Sequence, residues 1–209
     1  MKLLLHSCCA PCSIQCVEAL AIDDILPDLF WYNPNIHPYT EYRSRLDSLR
    51  VFAEDKKLSL TIEGEYGLRS FINETRDWLS DTGDVIRKRC TFCYRLRLEK
   101  AASYAAAKGF YAFSTTLLIS PYQDHELLRQ TGEEMALAFG VKFLYRDFRS
   151  RFREGQNQAR AAGYYMQKYC GCIYSEEERY LAKRDGASGG NGASSGASKE
   201  GSVSGRTTQ

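Results

Sequence analysis

The chain has 209 residues, a net charge of +2 and a hydrophobic fraction of 44%, values that are ordinary for a globular protein. No apolar stretch approaches the length that spans a membrane, and the first residues lack the basic, apolar and small-residue order of a secretory signal. We therefore expect a cytoplasmic protein without membrane contact. Its eight cysteines are then expected to serve metal binding or redox chemistry rather than disulfides.

A cysteine-rich stretch, LLLHSCCAPCSIQC, lies next to the N-terminus. Its apolar start predicts a short buried strand, and a tight turn follows. The turn brings together three thiols: Cys8, Cys9 and Cys12. Ser13 is the predicted N-cap of the next helix, because apolar residues recur after it at helical spacing. Cys16 falls on that helix, where we expect it to be a small buried side chain.

The rest of the chain alternates predicted strands and helices. Strands are predicted at 25–32, 58–66, 110–118 and 141–148, and helices at 39–52, 67–79, 90–108 and 122–139, with two further helical segments around 170–172. Strands separated by helices imply right-handed crossovers, and hence an α/β, doubly wound parallel sheet of about five strands. We expect one domain at 1–185 and a disordered tail at 186–209, where glycine and serine dominate.

Seven of the eight cysteines lie in three short motifs. The motifs are Cys8, Cys9 and Cys12, then Cys90 and Cys93, and then Cys170 and Cys172. Each follows a predicted strand, directly or after one intervening segment, and functional loops of an open parallel sheet collect at the carboxyl ends of its strands. Seven thiols are too many for one tetrahedral ion, so their number favours an iron–sulfur cluster together with a second metal.

Two other functions fit parts of this pattern. Cys90 and Cys93, at the predicted start of a helix, would have the lowered pKa that a thiol–disulfide oxidoreductase uses. A dithiol exchange needs only two to four sulfurs, however, and leaves the other motifs unexplained. The second alternative is a non-catalytic RNA-binding module that zinc stabilises.

Basic residues concentrate between positions 142 and 168, with aromatic residues among them. Arg149, Arg151 and Arg153 are the expected contacts to nucleic-acid phosphates, while exposed aromatic rings would stack on an unpaired base. The alternative is an ordinary solvated surface, on which these arginines pair with carboxylates such as Asp147 and Glu154.

Five stretches of the chain resemble the QueH type of epoxyqueuosine reductase. They are LLLHSCCAPCS near the N-terminus, YNPNIHPYTEYRSR at 32–45, RCTFCYRLRL at 89–98, FSTTLLISPYQD at 113–124 and FREGQNQARAAGYYMQKYCGCIYS at 152–175. The resemblance implies a Rossmann-like, nucleotide-hydrolase-related fold. It also implies reduction of the epoxide of epoxyqueuosine in the tRNA anticodon to queuosine, with a 4Fe–4S cluster beside a mononuclear iron or zinc ion.

The resemblance further implies a place for each of the seven cysteines. The cluster would be held by Cys8, Cys9, Cys90 and Cys93, and the neighbouring ion by Cys12, Cys170 and Cys172. The partners would be tRNA that carries epoxyqueuosine and an electron donor such as a ferredoxin or flavodoxin. The sequence has no P-loop, and cysteines stand where ATP-using tRNA-modifying enzymes of related fold carry a Ser-Gly-Gly loop, so no use of ATP is expected.

Removing the epoxide oxygen as water requires two protons, and four side chains near the predicted motif loops are candidate proton donors. They are Tyr32, His37, Tyr94 and Asp124. His37 precedes a proline and is also typical of a turn. His6 and His125 are expected to be structural.

Overall fold

The computed structural model describes residues 2–78 and 85–188. Within them, five parallel strands form one sheet: β1 (Leu3–His6), β2 (Asp28–Trp31), β3 (Leu60–Ile62), β4 (Ala112–Thr115) and β5 (Lys142–Phe143). The helices of these residues are α1 (Ala10–Ala21), α2 (Tyr39–Asp55), α3 (Leu68–Thr75), α4 (Val85–Ala107), α5 (His125–Phe139), α6 (Phe152–Ala161) and α7 (Ile173–Ser188).

The strand order is β3-β2-β1-β4-β5, which places β1 at the centre of the sheet. Leu5 of β1 lies beside Leu29 on one side and Ser114 on the other. The chain therefore builds outward from β1 to β3 and then crosses back to β4, so the winding direction reverses between β1 and β4. In a doubly wound sheet, ligands bind in the crevice outside the carboxyl ends of the strands at this reversal. The predicted fold class is confirmed.

All four residues of β1 are buried, as expected for a central parallel strand that is covered on both faces. Its three leucines belong to the main core, together with Phe30 of β2 and Phe113 of β4. Helices α1 and α6 pack against each other, as do α4 and α5. This packing fixes the loop that leaves β1 and enters α1.

Two predicted helix starts are wrong. Helix α1 begins at Ala10 with Cys9 as its N-cap, and the Ser13 hydroxyl, inside the helix, donates to the Cys9 carbonyl at 2.8 Å. Pro11 suits the first turn because its missing N–H has no partner there in any case. Helix α4 begins at Val85, so Cys90 and Cys93 lie inside it rather than at its start. The Arg-Lys-Arg run before Cys90 continues the helix, since both residue types have high helix propensity.

The ends of other elements also differ from expectation. The predicted helix at 67–79 is α3 followed by a short 3-10 turn to Trp78, and the predicted strand at 141–148 is reduced to the two residues of β5. Helix α7 extends to Ser188, beyond the predicted start of the tail at 186. Residues 79–84 and 189–209 lie outside the described residues, so the disordered tail stays a prediction. In 2–78 and 85–188, no helix is long and apolar enough to cross a membrane.

Candidate metal centre

The loop between β1 and α1 carries a compact group of three thiols. The sulfur atoms of Cys8, Cys9 and Cys12 all lie within 4.8 Å of one another, and those of Cys8 and Cys9 are 3.8 Å apart. Extended backbone at Cys9 (φ −176°, ψ 163°) precedes the first turn of α1, and Cys12 lies one turn along that helix. All three side chains are buried.

The geometry of this thiol group suits a metal. Two thiolates bound to one tetrahedral ion at about 2.3 Å are about 3.8 Å apart, and the sulfurs of Cys8 and Cys9 have that separation. Soft sulfur donors select zinc, copper(I) or iron–sulfur centres over hard cations. The residues present therefore fit a thiolate-bound metal at the carboxyl end of β1.

The same arrangement favours a thiolate at Cys8. Hydrogen bonds from Cys12 and Cys9 lower the pKa of Cys8, and the Thr116 hydroxyl lies 3.6 Å from its sulfur. Burial raises the pKa of Cys9, and the hydrogen bond to Cys8 raises that of Cys12.

A cavity of about 510 Å³ opens beside the thiol group and brings the first and third cysteine motifs together. Cys8, Cys12 and Cys170 all line it. Two glutamine amides contact the cysteines: Gln167 Nε2 donates to Cys12 Sγ at 3.4 Å, and Gln123 Nε2 donates to Cys170 Sγ at 3.3 Å. Cys170 is exposed to solvent, so a small molecule or a base can reach this site.

The second and third motifs meet in a small cluster of buried side chains. Cys93 and Cys172 are buried in one small apolar cluster with Phe71. Burial raises the pKa of Cys93 to about 12 and also raises that of Cys90. These two thiols lie inside α4, away from its positive N-terminus, and they lack the lowered pKa that the dithiol alternative needs.

Tyr94 and Asp124 are linked to the cavity only indirectly. The Tyr94 hydroxyl donates to Gln123 Oε1 at 2.7 Å and accepts from the Asp124 backbone N–H at 3.3 Å. The Asp124 carboxylate caps α5 by accepting from the Leu127 N–H. Burial raises the pKa of Tyr94, which therefore keeps its proton. Tyr94 orients Gln123, and the amide of Gln123 reaches Cys170.

His37 and Tyr32 do not line the thiol cavity. His37 Nδ1 accepts from the Ile173 N–H at 3.3 Å, and burial lowers its pKa to about 4, so its ring is neutral near pH 7. Its ring centroid lies 5.1 Å from that of Phe71. The Tyr32 ring packs beneath the Lys100 ammonium at 5.8 Å. Among the described residues that line the thiol cavity, none of the four predicted proton donors occurs.

His6 lies at the end of β1, where it is fully buried. Its Nδ1 is 2.9 Å from the Thr115 hydroxyl, and its Nε2 is 3.2 Å from the Tyr32 carbonyl oxygen. Burial, and to a smaller extent the Arg97 guanidinium, lowers the pKa of His6 to about 4. These contacts hold the strand end from which the thiol loop departs.

Acidification is expected to destabilise the protein through His6. An unfolded histidine has a pKa of about 6.5, so between pH 6.5 and 4 the unfolded chain binds a proton that the folded chain does not. Above that window His6 makes no pH-dependent contribution to the free energy of unfolding. At about pH 5 it lowers the free energy of unfolding by about 2 kcal/mol. Thermal unfolding between about pH 7 and 5 should show a shallower pH dependence for His6→Asn than for the unchanged protein. Equal slopes would contradict this role.

The three arginines predicted to contact phosphates do not act together. Arg149 forms a bidentate ion pair with Asp147, and Arg151 donates to the Gln15 amide oxygen at 3.0 Å. Arg153 instead lines a second cavity of about 510 Å³. Arg149 thus has the local carboxylate partner that the solvated-surface alternative expects, and Arg153 lies in a position suited to an anion; phosphate contact by the three arginines stays a prediction.

Two buried arginines near the cysteines were not predicted. Each has a relative exposure of 1%. Arg45 donates to Glu41 at 2.7 Å and to the backbone carbonyls of Tyr169 and Cys170, both at 2.9 Å. Arg97 donates to the sulfur of Cys93 at 3.1 Å. Helical spacing could have indicated these two contacts, because each arginine follows its partner by four residues on one helix.

Fold and site together define a doubly wound α/β protein with a buried group of three thiols, suited to a metal, at the reversal point of its sheet. The sequence profile of the family Epoxyqueuosine reductase QueH matches residues 3–178, and the chain belongs to this family. A relative named Epoxyqueuosine reductase QueH from Dehalococcoides mccartyi is 35% identical over 179 residues, which cover 86% of this chain and 94% of the relative.

Two further relatives carry the same name. The one from Haemophilus influenzae is 37% identical over 182 residues, covering 83% of this chain and 71% of the relative. The one from Thermotoga maritima is 34% identical over 181 residues, covering 84% and 91%. The resemblance seen in the five stretches of sequence is confirmed at the level of the family.

Proposed function

We propose that this chain reduces the epoxide of epoxyqueuosine in tRNA to the alkene of queuosine. The observation that carries the proposal is the buried group of Cys8, Cys9 and Cys12, open to a cavity, in a chain of the QueH family. The reaction consumes two electrons and two protons and releases the epoxide oxygen as water. A ferredoxin or flavodoxin would supply the electrons.

We assign the cysteines to two neighbouring metal sites. The cluster would be held by Cys8, Cys9, Cys90 and Cys93, and a second ion, iron or zinc, by Cys12, Cys170 and Cys172. Adjacency of the two sites is supported by the position of Cys12, whose sulfur lies within 4.8 Å of two of the proposed cluster ligands. When bound, these metals would supply single electrons and polarise the epoxide oxygen.

The protein's own side chains position the groups that face the cavity. The Tyr94 hydroxyl donates to Gln123 Oε1, which fixes the amide so that its NH₂ group faces Cys170 and the cavity. Among the four predicted donors, Tyr94 is joined to the cavity through Gln123, and because burial raises its pKa it acts there as a hydrogen-bond donor that positions the amide rather than as an acid. Gln167 holds Cys12 in the same way.

Metal analysis and a tRNA assay test the proposal together. Anaerobically prepared protein should be brown, contain about four cluster irons plus one further metal, and convert epoxyqueuosine in tRNA to queuosine when supplied with a low-potential electron donor. Nucleosides released from the tRNA give the readout. A colourless protein with zinc alone would favour the RNA-binding module, and a metal-free active dithiol would favour the oxidoreductase alternative.

A basic pocket beside the thiol cavity is the proposed contact for tRNA phosphates. Its cations are Arg153, Arg160, Lys168 and Arg179, and its lining includes the rings of Tyr122 and Phe152. Lys168 and Arg179 also line the thiol cavity, so the two spaces are adjacent. A backbone phosphate in the pocket would leave the neighbouring base free to stack on a ring or enter the thiol cavity.

Removal of two cations from this pocket should weaken tRNA binding. Arg153 and Arg160 line the basic pocket, and each phosphate that is no longer neutralised makes the slope of log affinity against log salt shallower by about 0.7 to 0.9. We expect Arg153→Ala with Arg160→Ala to make the slope shallower by up to twice that amount and to leave metal content unchanged. Fluorescence titrations at several salt concentrations give the slope.

The matched control is the double variant Arg146→Ala with Arg149→Ala, because these residues already pair with Asp23 and Asp147. Its salt slope should stay close to that of the unchanged protein. Equal effects of both double variants would mean that tRNA binding follows net charge rather than this pocket.

A further inference from the structure

We propose that Arg97 is a positioning residue that donates a hydrogen bond to the Cys93 sulfur and raises the reduction potential of the metal centre bound there. The inference rests on the proposed function. Arg97 lies on α4 one turn after Cys93, with a relative exposure of 1%. Its Nη2 donates to Cys93 Sγ at 3.1 Å and its Nε donates to the Cys93 carbonyl oxygen at 3.0 Å.

The charge of Arg97 needs a buried anion. Among the described residues, the two other buried arginines have carboxylate partners, since Arg45 pairs with Glu41 and Arg89 with Glu178. In the part of the chain that the structure describes, no carboxylate forms an ion pair with Arg97. A buried cation without a counter-ion costs several kcal/mol, so another anion must compensate it.

Cysteine sulfur is the anion that the surroundings of Arg97 offer. The groups that interact electrostatically with the guanidinium are, in descending order, Cys93, Cys170, Cys8 and Tyr94. Metal binding deprotonates thiols, so a loaded centre would supply the missing negative charge permanently. An N–H to sulfur hydrogen bond and a nearby positive charge both stabilise the more reduced state of a metal–thiolate centre.

A purely structural role is the competing explanation. The Arg97 guanidinium lies 6.0 Å from the centroid of the Tyr94 ring, and its contact with the Cys93 carbonyl alone would brace the helix. Such a role would lower stability when Arg97 is replaced, but it would not move the potential of the metal.

The test compares Arg97→Met with Arg95→Met in anaerobic redox titrations monitored by electron paramagnetic resonance. Methionine has a similar length and no charge, and Arg95 is an exposed arginine on the same helix that pairs with Glu99. For R97M we expect the ratio of reduced to oxidised centre at a fixed potential to fall about tenfold, a negative midpoint shift of about 59 mV for one electron. R95M should leave the midpoint potential unchanged. The midpoint potential of R97K should lie between those of R97M and the unchanged protein.

An unchanged midpoint in R97M, with full iron content and an unchanged circular dichroism spectrum, would overturn the proposal. If R97M does not fold, R97Q, which keeps an N–H donor but no charge, takes its place in the same titration. A wild-type protein without iron would contradict the proposed function, and cobalt(II) then tests Arg97 separately. The thiolate-to-cobalt charge-transfer band should show that cobalt(II) binds R97M about tenfold more weakly than R95M. Equal affinities for cobalt(II) would overturn the role of Arg97.

Discussion

Removing the Cys9 side chain is expected to abolish metal binding, whereas removing the Cys16 side chain is not. Both thiols are fully buried, and burial is the main cause that raises the pKa of each. The replacements Cys9→Ala and Cys16→Ala therefore remove the same atom from equally buried positions. Only Cys9 belongs to the group whose sulfurs lie within 4.8 Å of one another.

Each alanine variant should lose about 1 kcal/mol of stability because the packing around the sulfur disappears. A loss of metal in Cys9→Ala alone would therefore reflect ligation rather than packing. Visible absorption together with iron and zinc analysis gives the metal content, and conversion of tRNA-bound epoxyqueuosine gives the activity. Full metal content in Cys9→Ala, or an equal loss in both variants, would refute the assignment of Cys9 as a ligand.

Replacing Arg45 is expected to lower the stability of the protein strongly. Arg45→Met leaves the Glu41 carboxylate buried without its cation and removes the donors to the carbonyls of Tyr169 and Cys170. Breaking a buried ion pair from one side costs about 3–5 kcal/mol. Denaturant unfolding monitored by circular dichroism gives the change in the free energy of unfolding.

The control for this measurement lies on the same helix. Arg50 pairs with Asp47 at 2.9 Å, but both side chains are nearly half exposed, so Arg50→Met should cost less than about 1 kcal/mol. The double variant Arg45→Met with Glu41→Leu should recover much of the loss, because no buried charge is then left without a partner. If R45M costs no more than R50M, the buried pair does not anchor the cysteine loop.

Alternation of strands and helices was sufficient to predict the parallel sheet and the thiol loop at the end of its central strand. The apolar run in β1 and the proline turn after it have few other interpretations. The first residues of the helices were harder to predict from the sequence. Ser13 is a preferred cap residue in general, yet the helix had already begun at Ala10, and the basic residues before Cys90 resembled a polar loop although they continue α4.

The metal centre was predictable from its thiols but not from the residues that support them. Cysteine spacing marks a site locally, whereas burial of Arg45 depends on carbonyls that lie 124 and 125 residues away in sequence. A lone arginine on a helix usually lies on the surface, so its sequence carries no sign that its charge is buried. The ion pair of Arg149 with Asp147 is local, by contrast, and the sequence analysis had named it as the alternative to phosphate contact.

The thiol cavity is lined by residues from both ends of the described chain, and this has a consequence for how the protein is made. Cys12 leaves the ribosome about 160 residues before Cys170, which at about 5–20 residues per second is an interval of roughly 8–30 seconds. During that time the first three thiols have no completed site and are open to oxidation. Under the proposed assignment the ligand set is complete only after Cys172 has been synthesised, and until then the nascent chain would depend on the reducing power of its surroundings.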